Sequence, residues 1–130
     1  MTDLMPKNAI SDLEIENCFD VMSELRPHLK RDQFLGTIRD LELQGFQLGY
    51  LEEGQQVIAV AGYRFARNLF LGNHLYIDDL VVSQRLRSKG YGNILYMWLR
   101  DHALKNGCSY IHLDSGVIRM GEHRFYFRQG

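Results

Sequence analysis

The spacing of apolar residues changes along the chain, and each change marks an element. Ile15, Cys18, Phe19, Met22 and Leu25 recur three and four positions apart, the spacing that lines one helical face. Ser11 and Glu14 form a capping box ahead of them and Pro27 forbids continuation, so a first helix is predicted over Asp12 to Arg26. Phe34, Leu35, Ile38 and Leu41 repeat the pattern after Asp32, with Gly45 as a stop, giving a second amphipathic helix. From Phe46 the period becomes two: Phe46, Leu48 and Tyr50 alternate with Gln47, Gly49 and Leu51 before a turn at Glu53-Gly54. Val57 to Phe65 reads as the return strand, Asn68 to Asn73 as a second turn, and Leu75 to Val82 as a third strand antiparallel to its predecessor. Helical spacing returns at Tyr91, Ile94, Leu95, Trp98, Leu99, His102 and Ala103, ended by Asn106-Gly107. A short strand, Tyr110 to Asp114, follows, and Gly121 to Arg128 looks like a last short helix. A strand, a helix and a strand in that order predict parallel neighbours joined by a right-handed crossover. The expected class is therefore α/β with a mixed sheet: a helix pair, antiparallel strands, then a β-α-β unit.

Composition narrows the partners more than the fold. A length of 130 residues predicts one domain, residues 1–130, and one core. A net charge of −1 argues against a general nucleic-acid binder, so any phosphate binding has to be local. No apolar run approaches the roughly 20 residues of a membrane span and the first residues hold no apolar signal core, so a cytoplasmic address is the default. Cys18 and Cys108 lie far apart within apolar patterns and read as buried free thiols rather than a disulfide. The histidines are scattered without ligand spacing, and no metal is expected.

One stretch carries chemistry. The apolar strand Tyr76-Ile-Asp-Asp-Leu-Val-Val-Ser83 runs into Gln84-Arg-Leu-Arg-Ser-Lys-Gly-Tyr-Gly-Asn93, a basic turn that opens a helix. A helix start leaves backbone N–H groups unpaired and carries a partial positive charge, while glycines let an oxygen approach the backbone. Arg85, Arg87 and Lys89 add side-chain charge, so a phosphate-bearing ligand is expected. A nucleotide-binding loop fits less well: Gly-Lys-Ser/Thr order is absent, and Gly90-Tyr-Gly92-Asn-Ile-Leu95 fails Gly-x-Gly-x-x-Gly at its last position.

The run Arg87-Ser-Lys-Gly90-Tyr-Gly92 resembles the Arg/Gln-x-x-Gly-x-Gly/Ala signature of the GNAT superfamily of acyl-CoA-dependent N-acyltransferases. A strand before it, a helix after it, and Phe125-Tyr126-x-x-x-Gly130 near the C-terminus extend the resemblance over about Ser11 to Gly130. The resemblance implies a GNAT-like fold and acetyl-CoA as cosubstrate. Backbone amides from Arg87 through Ser88, Lys89, Gly90, Tyr91 and Gly92 to Asn93 would hold the pyrophosphate, and Leu80, Val81 and Val82 would pair with the pantetheine arm as an added strand. It also implies N-acetyl transfer to a primary amine of a small molecule or peptide by direct attack, with the amides at the strand's end polarising the thioester carbonyl.

Direct attack needs a group to take a proton from the amine and one to return a proton to the thiolate. Tyr126 matches the tyrosine for which the second role is often proposed in the family; its alternative is a core aromatic beside Phe125 and Phe127. Asp78 and Asp79 lie on the strand beside the expected thioester, as base or ammonium ligand, or alternatively capping backbone amides in a strand bulge. Consecutive strand residues point to opposite faces, so at most one of the two is expected to face the site. Asp114 and Ser115, where parallel strands splay, are substrate-side candidates, with helix capping as the other role. His112 and His123 read as structural.

The pattern departs from the family in two places. Arg119 and Glu122 stand where many relatives carry Asn and Ala, so pantetheine contacts from that loop do not carry over, and Arg119 is expected to meet an acidic group instead. The family's final strand finds no counterpart after Gly130, which predicts an open sheet edge, filled in a homodimer by a neighbouring subunit or left bare in a catalytically impaired acyl-CoA-binding module. The first two helices and the Asn68 to Asn73 loop would choose the acceptor, with Leu69, Phe70 and Leu71 either lining an apolar substrate site or packing in the core.

Overall fold

The computed structural model describes residues 4–120 and the backbone of residues 127–128. Seven strands form one sheet in sequence order: β1 (Lys7–Asn8), β2 (Gln47–Glu53), β3 (Gln56–Asn68), β4 (Gly72–Val82), β5 (Tyr110–Leu113), β6 (Gly116–Arg119) and β7 (Phe127–Arg128). All neighbours are antiparallel except β4 and β5, which are parallel and joined through helix α4 (Tyr91–Lys105). Helices α1 (Asp12–Asn17), α2 (Phe19–Leu25) and α3 (Arg31–Glu42) precede β2.

The sheet separates two apolar layers. Val60 and Val81 pack with Ile15, Phe19 and Phe34 from α1–α3, while Leu75 and Ile77 pack with Leu95, Leu99 and Ala103 of α4. Both faces are covered, and β3 is accordingly buried from Val57 to Tyr63 without alternation.

Three expectations need correction. The first helix is two, because the Cys18 N–H bonds to the Ile15 carbonyl at 3.0 Å, a tighter i–3 turn that re-aims the chain while Ile15, Cys18, Phe19 and Met22 stay buried. Past β5 the chain turns back through Asp114–Ser115 into β6, a strand too short for its apolar pair Val117-Ile118 to announce a period. Phe127–Arg128 then pair antiparallel with β6, where a last helix over Gly121 to Arg128 was expected; residues 121–126 of that expectation lie outside the described residues.

Cys18 and Cys108 are buried free thiols, and burial pushes the Cys18 thiol up to about 12. Among the described residues no helix is long and apolar enough to cross a membrane.

Candidate active site

Strand β4 builds the site by leaving one neighbour and bulging against the other. It pairs with β5 from His74 to Tyr76, opposite Tyr110 to His112, so among the described residues its edge toward β5 is open beyond Tyr76. Near its end Ser83 donates its N–H to the Ile58 carbonyl of β3 at 2.8 Å. Backbone groups alternate sides along a strand, so Val81 also faces β3 while Leu80 and Val82 turn their N–H and C=O groups to the open edge. The Val81 side chain is buried among α1–α3, which leaves Leu80 and Val82 as the members of that expected trio offering backbone to a ligand.

The chain then makes a short 3₁₀ turn at Gln84–Leu86 and enters α4 through Gly90, whose φ of 85° lies in the left-handed region. Ser88 also has positive φ, 68°. Among the described residues no side chain caps α4, and the N–H groups of Tyr91, Gly92 and Asn93 are left without a partner at the positive end of the helix dipole. A Cβ on Gly92 would sit 3.3 Å from the Val82 side chain, so this helix start is pressed against the open end of β4. Arg85, Arg87 and Lys89 are exposed and, among the described residues, hold no ion pair.

The bulge lies upstream, at Asp78 within β4. Gly62 of β3 stands opposite Asp79 and Tyr63 opposite Ile77, which leaves Asp78 as an extra residue in β4. The extra residue breaks the alternation, so both Asp78 and Asp79 line one cleft of about 360 Å³ together with Arg26, Arg64, Tyr76 and Asp114. The expectation that at most one aspartate faces the site is corrected by this bulge.

The carboxylates are held by side chains rather than capping backbone amides. Arg26 Nε donates to Asp79 Oδ1 at 2.7 Å, and its Nη2 reaches the Asp78 carbonyl at 3.2 Å. Arg64 grips Asp78 through two bonds of 3.1 Å and lies over the Tyr76 ring. Tyr76 donates its hydroxyl to Asp114 Oδ1 at 2.9 Å, and that bond, with partial burial, raises its pKa. The Asp79 side chain is 14% exposed, wedged where a Cβ on Gly62 would meet its Oδ2 at 2.8 Å and the Phe46 ring at 2.5 Å. Three acids outnumber two guanidinium groups, so the cleft attracts a cation.

Similarity to known proteins assigns the family and the fold. The sequence model of the Acetyltransferase (GNAT) family matches residues 9–130. The chain belongs to the GNAT family. A GNAT relative, the uncharacterized N-acetyltransferase YhdJ of Bacillus subtilis, is 34% identical over 121 residues, 92% of this chain and 85% of its own. Among solved GNAT structures, a Staphylococcus aureus acetyltransferase superposes with a TM-score of 0.78 at 14% identity, covering 98% of this chain and 99% of its own. The aminoglycoside N-acetyltransferase AAC(6')-Iy, solved in complex with CoA, gives 0.73 at 12% identity over 88% and 80% of the two chains.

Other expected GNAT site residues fall unevenly. Asp114 joins the cleft through Tyr76, whereas Ser115 is an exposed residue of the β5–β6 turn, and no helix follows for either to cap. Tyr126 lies outside the described residues. Leu71 is buried while Leu69 and Phe70 stand exposed at the tip between β3 and β4, and none of the three lines this cleft. Arg26, Arg64 and Tyr76 were missed by sequence reasoning. A signal existed for Arg26: Pro27 disfavours helical backbone in the residue before it, and Arg26 (φ −123°, ψ 74°) swings out toward Asp79. For the bulge, the signal was two adjacent acids inside an apolar strand.

Proposed function

We propose that this chain is a single-domain N-acetyltransferase that moves acetyl from acetyl-CoA to a primary amine by direct attack. The observation that carries the reading is the open edge of β4 beside an uncapped, left-handed glycine turn. That edge accepts an extended, amide-bearing arm as an added strand at Leu80 and Val82, and the amides from Arg87 to Asn93 accept a pyrophosphate. Asp78 and Asp79 then take the acceptor's ammonium and its proton, and Asp114, oriented by Tyr76, adds to the attraction. The amine nitrogen bonds to the carbonyl carbon, the carbon–sulfur bond breaks, the departing thiolate takes a proton from Tyr126, and the second proton shed by the nitrogen restores the Tyr126 hydroxyl. CoA in the solved aminoglycoside N-acetyltransferase supports the choice of donor.

Thiol release from acetyl-CoA across a panel of primary amines tests the reading. Turnover that Tyr126→Phe reduces by about 10²-fold or more, with CoA affinity by calorimetry unchanged, is the expected result. CoA binding with no thiol release from any amine overturns it and leaves a CoA-binding module.

A further inference from the structure

Behind the aspartates the cleft continues. A second cleft of about 360 Å³ shares Arg26, Leu41, Phe46 and Asp79 with the first. Its wall is apolar: Met22 from α2, Leu29 from the following loop, and Phe34, Ile38 and Leu41 from α3, with Phe46 at its junction with the first cleft. Each volume is within the roughly 300–1,000 Å³ of small-molecule sites. We infer that the two clefts form one acceptor site, selective for a small primary monoamine carrying an aryl or branched alkyl group. The ammonium sits at Asp78 and Asp79, and the apolar group sits between α2 and α3.

This inference rests on the acyl-transfer reading above, and three observations select the class. Asp79 lies on the boundary of the clefts, so an amine held there projects its substituent into the apolar side. Both guanidinium groups are turned onto the aspartates, Arg64 doubly on Asp78 and Arg26 on Asp79 and the Asp78 carbonyl, so their charge is offset within a cleft of three acids and an acceptor's carboxylate or phosphate is disfavoured there. The second cleft offers a polyamine or basic peptide an apolar wall beside Arg26 and His28, with no acid beyond Asp79 for a second cation. Removing apolar surface from water favours the aryl or branched alkyl amine instead.

The test compares 2-phenylethylamine and isoamylamine with ethanolamine, spermidine and glucosamine, by thiol release and by calorimetry on protein saturated with CoA. Expected is a preference of about tenfold or more for the two apolar amines in kcat/KM and in affinity. Thr37→Trp, at an exposed position on the rim of the apolar cleft, and Leu41→Gln, at a half-buried one, are expected to narrow that ratio toward one. Equal or reversed affinities overturn the inference, and turnover of the polar amines then leaves the acyl-transfer reading standing. Apolar preference by calorimetry without thiol release supports the inference and sinks the acyl-transfer reading alone.

Discussion

The turn that opens α4 and the bulge in β4 sit on the same stretch of chain, with Asp78 and Gly90 twelve positions apart, and are built from different materials. The turn is backbone: Gly90 in the left-handed region, unpaired amides at Tyr91 to Asn93, and exposed cations that touch no acid among the described residues. The bulge is side chains from distant segments. Arg26 comes from the end of α2, Arg64 from β3, Asp114 from the β5–β6 turn, and Phe46 from the residue before β2. A backbone device depends on local sequence and suits a ligand that is always the same. A side-chain device depends on the whole fold and can be re-specified residue by residue, which suits the variable half of a two-substrate reaction.

If that division holds, damage to the bulge strikes turnover and leaves the cofactor alone. The largest effect is expected from the double change Asp78→Asn with Asp79→Asn, which keeps shape and removes both negative charges. It should lower kcat/KM for the amine by about 10²–10⁴-fold, with CoA affinity by calorimetry within about twofold. Loss of CoA affinity in parallel would break the comparison. Each single change should cost less, because the bulge aims both carboxylates at one cleft.

Next in size is the glycine that makes room for the bulge. Gly62 is needed for space, since a Cβ there would come within 2.5 Å of the rigid Phe46 ring and 2.8 Å of Asp79 Oδ2. Gly62→Ala should cost about 1–3 kcal/mol of stability by overpacking and displace Asp79. Thermal unfolding and amine KM measure both halves; an unperturbed melt with normal kinetics would mean that Phe46 yields freely.

The same division accounts for what the sequence could be made to say. Arg87 to Asn93 was readable because everything that turn needs is contiguous: basic residues, a glycine at the positive-φ position, and a helix period straight after. The succession of β2, β3, β4 and β5 and the parallel crossover were readable for a like reason, since the period switches from two to 3.6 and back, whereas the two-residue β1 and the short β6 and β7 were not. The cleft was not, because parity arguments assume unbroken alternation and one extra residue at Asp78 reverses them. Val81 was assigned with Leu80 and Val82 as if three consecutive residues could face one side; the Ser83 to Ile58 bond turns its backbone toward β3. The Arg26–Asp79 pair spans 53 positions, a separation that no local pattern encodes.

The smallest predicted effect separates the two glycines by cause. Around Gly90 a new Cβ would meet nothing within 4 Å, but φ of 85° is a conformation that L side chains rarely adopt. Gly90→Ala should therefore cost about 1 kcal/mol of stability through the backbone alone, together with a loss of CoA affinity as the amide cradle shifts. Asparagine is the discriminating substitution, because it tolerates the left-handed region better than alanine despite being larger. Gly90→Asn should recover part of the stability that Gly90→Ala loses, whereas Gly62→Asn should be worse than Gly62→Ala, because there the obstacle is volume. Four melting curves settle it: the same rank order at both positions would show that the turn, too, is constrained by packing, and the distinction between a backbone device and a side-chain device would fail.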